Sequence, residues 1–465
     1  MNPKISRRQF TSTTAAVAAV AIAPGIATAA ASKPQLQAGA AEHLITPSNV
    51  KETLLVGPND LATGVHDDLF VRTLVLDDQK QRIAIVTIDL LVMHMDFNDV
   101  LVNAISAASG IPFEKIVINT NHTHNAPLPG LISANQSDPT QWSEKTPYKT
   151  FLVQQVVKNV KAAIDNLQSA TLRAGREPTQ VGFNRRTMGR THVTMAPNPN
   201  GPIVPWVDVV GAYADDGTRI AVLFSHAAHP VIIHGSSRLI SADYPGLTIQ
   251  KLHHRFSGGK GRADGVFMFA QGCGGDINGH PLLGGIEACQ AVSKQLEWAV
   301  ARVDTQQLPT GAIKTSTTEL ALPFQDPPTI EQCEQWIAER PKDDRFKHLL
   351  AFLKTGQRGT LRYPITGFAV GDLCIVSLAH EPVCSYQLFT VDKSPFKHTL
   401  VFGYTHGVEQ YIATKKDYEL GHRGGYEAAP HGHALQSKHR LALHPDAEQM
   451  IHDGITRVLG ELQPA

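Results

Sequence analysis

The sequence predicts an α/β fold of mixed sheets flanked by helices, organised as one large domain with its polar site at strand ends. Three observations carry this expectation. Short apolar, β-branched runs alternate with segments of 3.6-residue periodicity. Several of these runs pass at once into loops rich in histidine, glycine or carboxylate. No tandem repeat or long low-complexity linker divides the chain, although its 465 residues would allow two or three domains at ~150 residues each.

Residues 1–31 read as a targeting segment. Ser6-Arg7-Arg8-Gln9-Phe10 precedes an alanine-rich, mildly apolar stretch at 11–26, and Ala27-Thr28-Ala29 offers a small-x-small cleavage pattern. Paired arginines before a weakly apolar region fit a bacterial twin-arginine signal. That route exports folded proteins, often with a metal already loaded, so residues 32–465 are expected in the periplasm or outside the cell. A short membrane anchor is the alternative, but Pro24 and Gly25 stand near its end.

Next come strand signals at 69–76 and 82–91, the second apolar enough to be buried on both faces. Helical periodicity at 96–109 stops at Gly110-Ile111-Pro112, and a further strand follows at 115–119. This β-α-β order argues for a sheet with helices on its faces. Residues 148–167 form an amphipathic helix with Val153, Val156, Val157, Val160 and Ile164 on one stripe. The strand-then-loop pattern returns at 219–224, 265–270 and 372–378, followed by Ser225-His226, Gln271-Gly272 and His380-Glu381. In open α/β sheets such loops gather into one crevice. Residues 329–354 read as charge-rich surface helix and 446–462 as a closing amphipathic helix.

Composition narrows the partners. Acidic and basic residues balance at 42 each, which favours neither nucleic acid nor an anionic membrane surface. After the signal no run of ~20 apolar residues could span a bilayer. The five cysteines include no C-x-x-C pair, and their odd number excludes complete intramolecular pairing. Cys374 sits in an apolar run and reads as a core residue. Oligomeric state is not encoded legibly.

The chemistry-bearing residues lie in five clusters. In Asn121-His122-Thr123-His124, directly after a strand, an extended backbone would turn both imidazoles to one face, the start of a metal site. Ser225-His226-Ala227-Ala228-His229-Pro230, with His234 beyond, is the second. His380-Glu381-Pro382 adds a carboxylate, and Gln410-Tyr411 opens a block running through Tyr418 to Tyr426-Glu427. In Gly272-Cys273-Gly274-Gly275-Asp276-Ile277-Asn278 the glycines would let backbone N–H groups approach a ligand. Each has a plainer reading: core histidines, a helix-capping glutamate, a tight turn.

Together these clusters resemble the catalytic region of the neutral/alkaline (non-lysosomal) ceramidase family. The matching pieces run in the family's order from Ile45-Thr46-Pro47 through His122-Thr123-His124, Asn184-Arg185, His229-Pro230, Ser241-Ala242-Asp243, the Gly-Asp turn and Glu381 to the 411–426 tyrosine block. The chain resembles the short bacterial members, without the C-terminal immunoglobulin-like domain of the long ones. Residues 32–465 would then be one catalytic domain.

The resemblance implies a zinc ion held by His122, His229, Glu381 and Tyr411, with Tyr418 and Tyr426 close enough to compete for the last place. It puts His124 and Arg185 against the reacting group. One position departs from the family: Asn278 stands where the family carries a serine, and an asparagine can donate a hydrogen bond but cannot form an acyl-enzyme. The implied activity is zinc-dependent hydrolysis of an amide in a small-molecule or lipid-like substrate by metal-activated water, with Asn278 positioning substrate or water. A zinc esterase, lactonase or carbohydrate-active enzyme on an acidic substrate is the second reading. A non-catalytic exported metal- or ligand-binding protein is the third.

Overall fold

Several strands of this chain are apolar at nearly every position because both of their faces are covered, and that requirement sets the architecture. The structure is a computed structural model and describes residues 36–127, 129, 146–309, 311–357 and 359–463. The expected targeting segment lies outside these residues. Pro34–Ala465 make one compact unit, with no subdivision of the kind that length alone would allow.

In Phe70–Asp77, Leu74 and Leu76 enter one core while Val71 and Val75 enter another. Arg82–Ile88 repeats this with Ile83 and Ile85 on one side and Ala84, Val86 and Ile88 on the other. Side chains alternate along a strand, so a run apolar on both faces marks a strand between two layers.

The larger sheet has nine strands. In spatial order they are Ile313–Pro323, Thr360–Val370, Leu373–Ala379, His398–Thr405, Ile116–Thr120, Arg82–Ile88, Phe70–Asp77, Gln37–Leu44 and Gln168–Ser169. Ile116–Thr120 is central, parallel to Arg82–Ile88 and antiparallel to His398–Thr405. A five-stranded sheet runs Val266–Gln271, Arg219–His226, Trp206–Tyr213, Thr171–Pro178 and Gln306–Gln307, its first pair parallel.

The two sheets stack, with Leu74, Ile85, Val117 and Phe402 of one against Val210, Leu223 and Met268 of the other. Helices Met95–Ser109 and Pro147–Asp165 cover the outer face of the larger sheet through Phe97, Leu101, Leu152 and Val156. Ala447–Leu462 covers its far end, and Asp243–Phe256 with Gly285–Arg302 cover the smaller sheet. The result is a four-layer α/β/β/α arrangement, the mixed sheets flanked by helices that the pattern predicts.

Two helices depart from expectation. In Pro147–Asp165 the fully buried residues are Leu152, Val156, Asn159, Val160 and Ala163, while Val153, Val157 and Ile164 lie at the margins. The stripe is rotated because Gly39 brings Gln37–Leu44 against the backbone of the helix's last turn. The single helix expected at 329–354 divides into Ile330–Glu339 and Asp344–Lys354. Pro341 cannot continue the first, and Asp343 caps the second by accepting from the Arg345 N–H. No helix among the described residues is long and apolar enough to cross a membrane.

Gly39 supplies a test of this packing. A Cβ there would lie 2.1 Å from the Ala163 carbonyl oxygen and 2.9 Å from the Leu167 nitrogen, both backbone atoms that cannot swing aside. Gly110, at φ 73°, has no atom within 4 Å of its would-be Cβ, so only its left-handed backbone resists substitution. Gly39→Ala is expected to cost about 3 kcal/mol, the upper end for overpacking. Gly110→Ala should cost about 1 kcal/mol. Equal losses in urea denaturation would contradict the docking of that helix.

Candidate metal centre

The site begins where the central strand stops. Beyond Thr120, the Asn121 side chain donates to Asp89 Oδ1 (2.9 Å) and accepts from the Thr123 N–H (3.0 Å), while the His122 N–H donates to Leu90 O (2.9 Å). These bonds pull the chain out of extension. His122 adopts φ 70°, so strand alternation does not bring the two histidines together as expected. A turn does, and the rings of His122 and His124 meet edge to face at 5.2 Å. Left-handed backbone outside glycine costs about 1–3 kcal/mol and clusters at functional sites. His380 (φ 64°) and Tyr404 (φ 52°) share it at the neighbouring strand ends.

His229 arrives from the smaller sheet, just past Arg219–His226, and Glu381 from just past Leu373–Ala379. Each imidazole is locked from behind. His122 Nδ1 donates to Leu91 O (2.8 Å) and His229 Nδ1 to Gly274 O (2.7 Å). A carbonyl can only accept, so Nδ1 carries the hydrogen and Nε2 keeps its lone pair. Both lone pairs face Glu381 Oε2, at 3.3 Å from His122 and 3.4 Å from His229.

Burial, with Arg185 close by, pushes His229 down to about 3. Burial alone would raise Glu381, but His122 and His229 outweigh it and hold the carboxyl well below the usual range. Glu381 Oε2 is buried and makes no hydrogen bond. A carboxylate oxygen against two lone pairs is repulsive unless a proton or a metal cation sits among them. Two imidazoles and a carboxylate form a donor set that suits zinc.

Tyr411 completes the wall, its hydroxyl 3.1 Å from His229 Nε2. Tyr418 cannot compete, because its hydroxyl accepts from the Ala413 N–H and donates to Tyr411 O. The Tyr426 ring lies 5.6 Å from that of Tyr411. His124 is half-buried and stacks on His234 at 4.7 Å. Its ligand atom falls within 4.8 Å of those of His122 and His229, so three imidazoles could hold a metal between them. Burial, then His122 and His234, hold His124 well below its ordinary range. His226 is a core histidine tied to Trp206 O (2.7 Å).

Arg185 reaches the same place from strand Gly182–Met188. Its Nε pairs with Glu427 Oε1 (2.7 Å) and its Nη1 donates to Asn278 Oδ1 (2.9 Å). Glu427 Oε2 also takes Arg186, whose other nitrogen meets Asp417 at 3.1 Å.

The glycine turn works differently from expectation. Its N–H groups are spent inside the protein: Gly272 on His226 O, Cys273 on Gln387 Oε1 and Gly275 on Pro382 O. A Cβ on Gly275 would lie 2.7 Å from the Glu381 carbonyl. These glycines bring the turn close to the strand end carrying Glu381 and leave little backbone for a ligand. Asp276 caps the helix after Glu381 by accepting from the Cys384 N–H (2.7 Å), so Glu381 is free of the capping role. Glu427, named in the sequence only as the end of the tyrosine block, lines the site together with Tyr404 and His433, which were not singled out. Only the density of tyrosine and histidine at 404–433 hints at the last two.

Residues 38–300 match the family described as neutral/alkaline non-lysosomal ceramidase, N-terminal. Among solved structures the chain is similar to a ceramidase complexed with C2, at 14% identity and TM-score 0.68, covering 91% of this chain and 75% of that one. It is similar also to neutral ceramidase from Pseudomonas aeruginosa, at 15% identity and TM-score 0.66, covering 93% and 75%. At such identities the likeness concerns the fold. No curated protein matches the sequence significantly.

Glu427 gives the site its most severe stability test. Removing it leaves buried Arg185 without its carboxylate, a change that typically costs about 3–5 kcal/mol. Glu427→Ala is expected to lower stability by that amount in chemical denaturation. A loss below about 1 kcal/mol, the worth of an exposed pair, would show that the pairing is not needed.

Proposed function

The chain belongs to the neutral/alkaline non-lysosomal ceramidase family, and from that premise we propose that it is an exported, zinc-dependent amide hydrolase. The family makes it a ceramidase-like hydrolase; the metal, the attacking group and the export are our reading. One observation carries the metal. Glu381 Oε2 faces the Nε2 atoms of two backbone-locked imidazoles at 3.3 and 3.4 Å and has no hydrogen bond of its own.

His122, His229, Glu381 and Tyr411 would hold the ion. Zinc, when bound, lowers the pKa of a coordinated water from ~16 towards ~7 and polarises a carbonyl. The chain's own residues do the rest. Leu91 O and Gly274 O keep the two imidazoles in one tautomer. Arg185, fixed by Glu427, lies with its guanidinium carbon 5.3 Å from the centroid of the Tyr411 ring. There it can stabilise negative charge developing on the carbonyl oxygen; one such donor is worth on the order of 10²–10³ in rate. His124 Nε2 is buried without a partner, free to take the proton released by the attacking water and pass it to the leaving amine. Asn278 cannot act as a nucleophile, which favours water as the attacking group.

Elemental analysis of the purified mature protein should find about one zinc per chain, the stoichiometry of a single mononuclear site. His122→Ala and Glu381→Ala should lose it, while His124→Ala keeps the metal and loses turnover of acyl-amides. Full hydrolysis by the chelated protein would sink this reading, and loss of zinc in His124→Ala would move that histidine into the ligand set. Replacing Arg7 and Arg8 with lysine should leave the precursor in the cytoplasm on fractionation; unchanged export would argue against the twin-arginine route.

A further inference from the structure

We propose that Arg185 and Asn278 form a recognition subsite for a carboxylate carried by the substrate beside the bond to be cleaved. This rests on the hydrolase reading above and narrows its substrate class.

Arg185 is only 4% exposed. Of its three nitrogens, Nε serves Glu427 and Nη1 serves Asn278, while Nη2 is buried and makes no hydrogen bond. A guanidinium has donors only, so Asn278 must turn its Oδ1 towards Arg185 and its Nδ2 away. The backbone of Asn278 is held on both sides, paired with Phe183 in Gly182–Met188 and bridged to His229. The asparagine is half-buried, and its orientation is set. Each residue therefore offers a donor in a fixed direction, with the Arg185 guanidinium beside the Tyr411 ring.

The charges around this pair balance, two guanidiniums against two carboxylates, and what stays unfilled is the donor at Arg185 Nη2. Glu427 is divided between Arg185 and Arg186, and the second carboxylate, Asp417, pairs with Arg186. Both oxygens of Glu427 are occupied, so this side of the site has no carboxylate acceptor to spare. A hydroxyl head group brings a proton that needs an acceptor. A carboxylate only accepts, and it complements a guanidinium in shape as well as charge.

The carboxylate could sit on the amine or on the acyl part, and three amides with the zinc-loaded full-length mature protein separate these sources. N-acylglycine carries it on the amine part, N-acylethanolamine is the neutral counterpart of the same acyl chain, and a succinyl amide carries it on the acyl part. One of the two acids should show a kcat/KM about ten- to a hundredfold above its neutral counterpart, the worth of one hydrogen bond to a charged group. In Asn278→Asp, which keeps an oxygen towards Arg185 but replaces the donor by an anion, that ratio should collapse or invert. Equal turnover of acid and neutral amides by the unaltered protein would overturn the subsite while leaving the hydrolase reading intact.

Should no amide be hydrolysed, the hydrolase reading fails, and thermal shifts with the same compounds then decide. Stabilisation by an acid but not by N-acylethanolamine, lost in Asn278→Asp, would support the subsite. Stabilisation by none would overturn it.

Discussion

One buried amide holds together the strand ends on which this site depends. Asn119, fully shielded in the central strand, donates through Nδ2 to Gly403 O (2.7 Å) and Gln271 O (3.1 Å), and its Oδ1 accepts from the Gln271 N–H (2.9 Å). Three strands from two different sheets are thereby pinned at one level. Just beyond it lie His122, the glycine turn that supports His229, and Tyr404. Leaving any of these partners unsatisfied in the interior would cost about 1–3 kcal/mol, so the register of the two sheets and the convergence of the imidazoles are enforced together. Sites on strands can hold side chains to within about 0.5 Å where loops cannot.

Two buried carboxylates show how the same residue type is given opposite tasks. Glu427 is saturated, each oxygen occupied by an arginine, and serves as an anchor. Glu381 has one oxygen aimed at two nitrogen lone pairs and no hydrogen bond to relieve it. Desolvation alone would favour the neutral form of Glu381. In Glu427 the arginines supply the compensating charge; in Glu381 it has to come from protons on the facing imidazoles or, on the proposed reading, from a metal ion. A structural glutamate would have been given donors, as Asp276 is by Asn184 and Cys384.

Much of this was legible in the sequence, and the parts that were not share a cause. The continuous apolar run at 82–91 announces a strand buried on both faces, residues 69–76 announce a strand, and Gly110 announces the end of its helix. Polar residues placed just beyond apolar runs pointed to His122, His229 and Glu381 as neighbours. Local pattern does not report what one segment does to another. The left-handed turn at His122 arises from Asn121 and Leu90, the close approach at Gly275 from Glu381, and the rotated helix from Gly39. Glu427 looked like one acidic residue among many because its value lies in two arginines some 240 positions away in sequence. The face-to-face stacking of the sheets was likewise invisible, since a strand buried under a helix and one buried under a sheet have the same composition.

The three-residue strand Ile277–Gly279 ties these strands of argument together. It pairs with Gly182–Met188, which carries Arg185, and it bridges to His229. Neither Arg185, Asn278 nor His229 can shift without dragging the others. The asparagine at 278 therefore sits in the stiffest part of the site, where an amide oriented by Arg185 presents a fixed donor and no nucleophile. On the proposed reading, a chain that replaces a hydroxyl by an amide at such a place retains the electrophilic centre of the family and alters what is held against it. On that reading the histidines, Glu381 and Tyr411 decide how a bond is broken, Asn278 bears on whose bond it is, and Arg185 serves both.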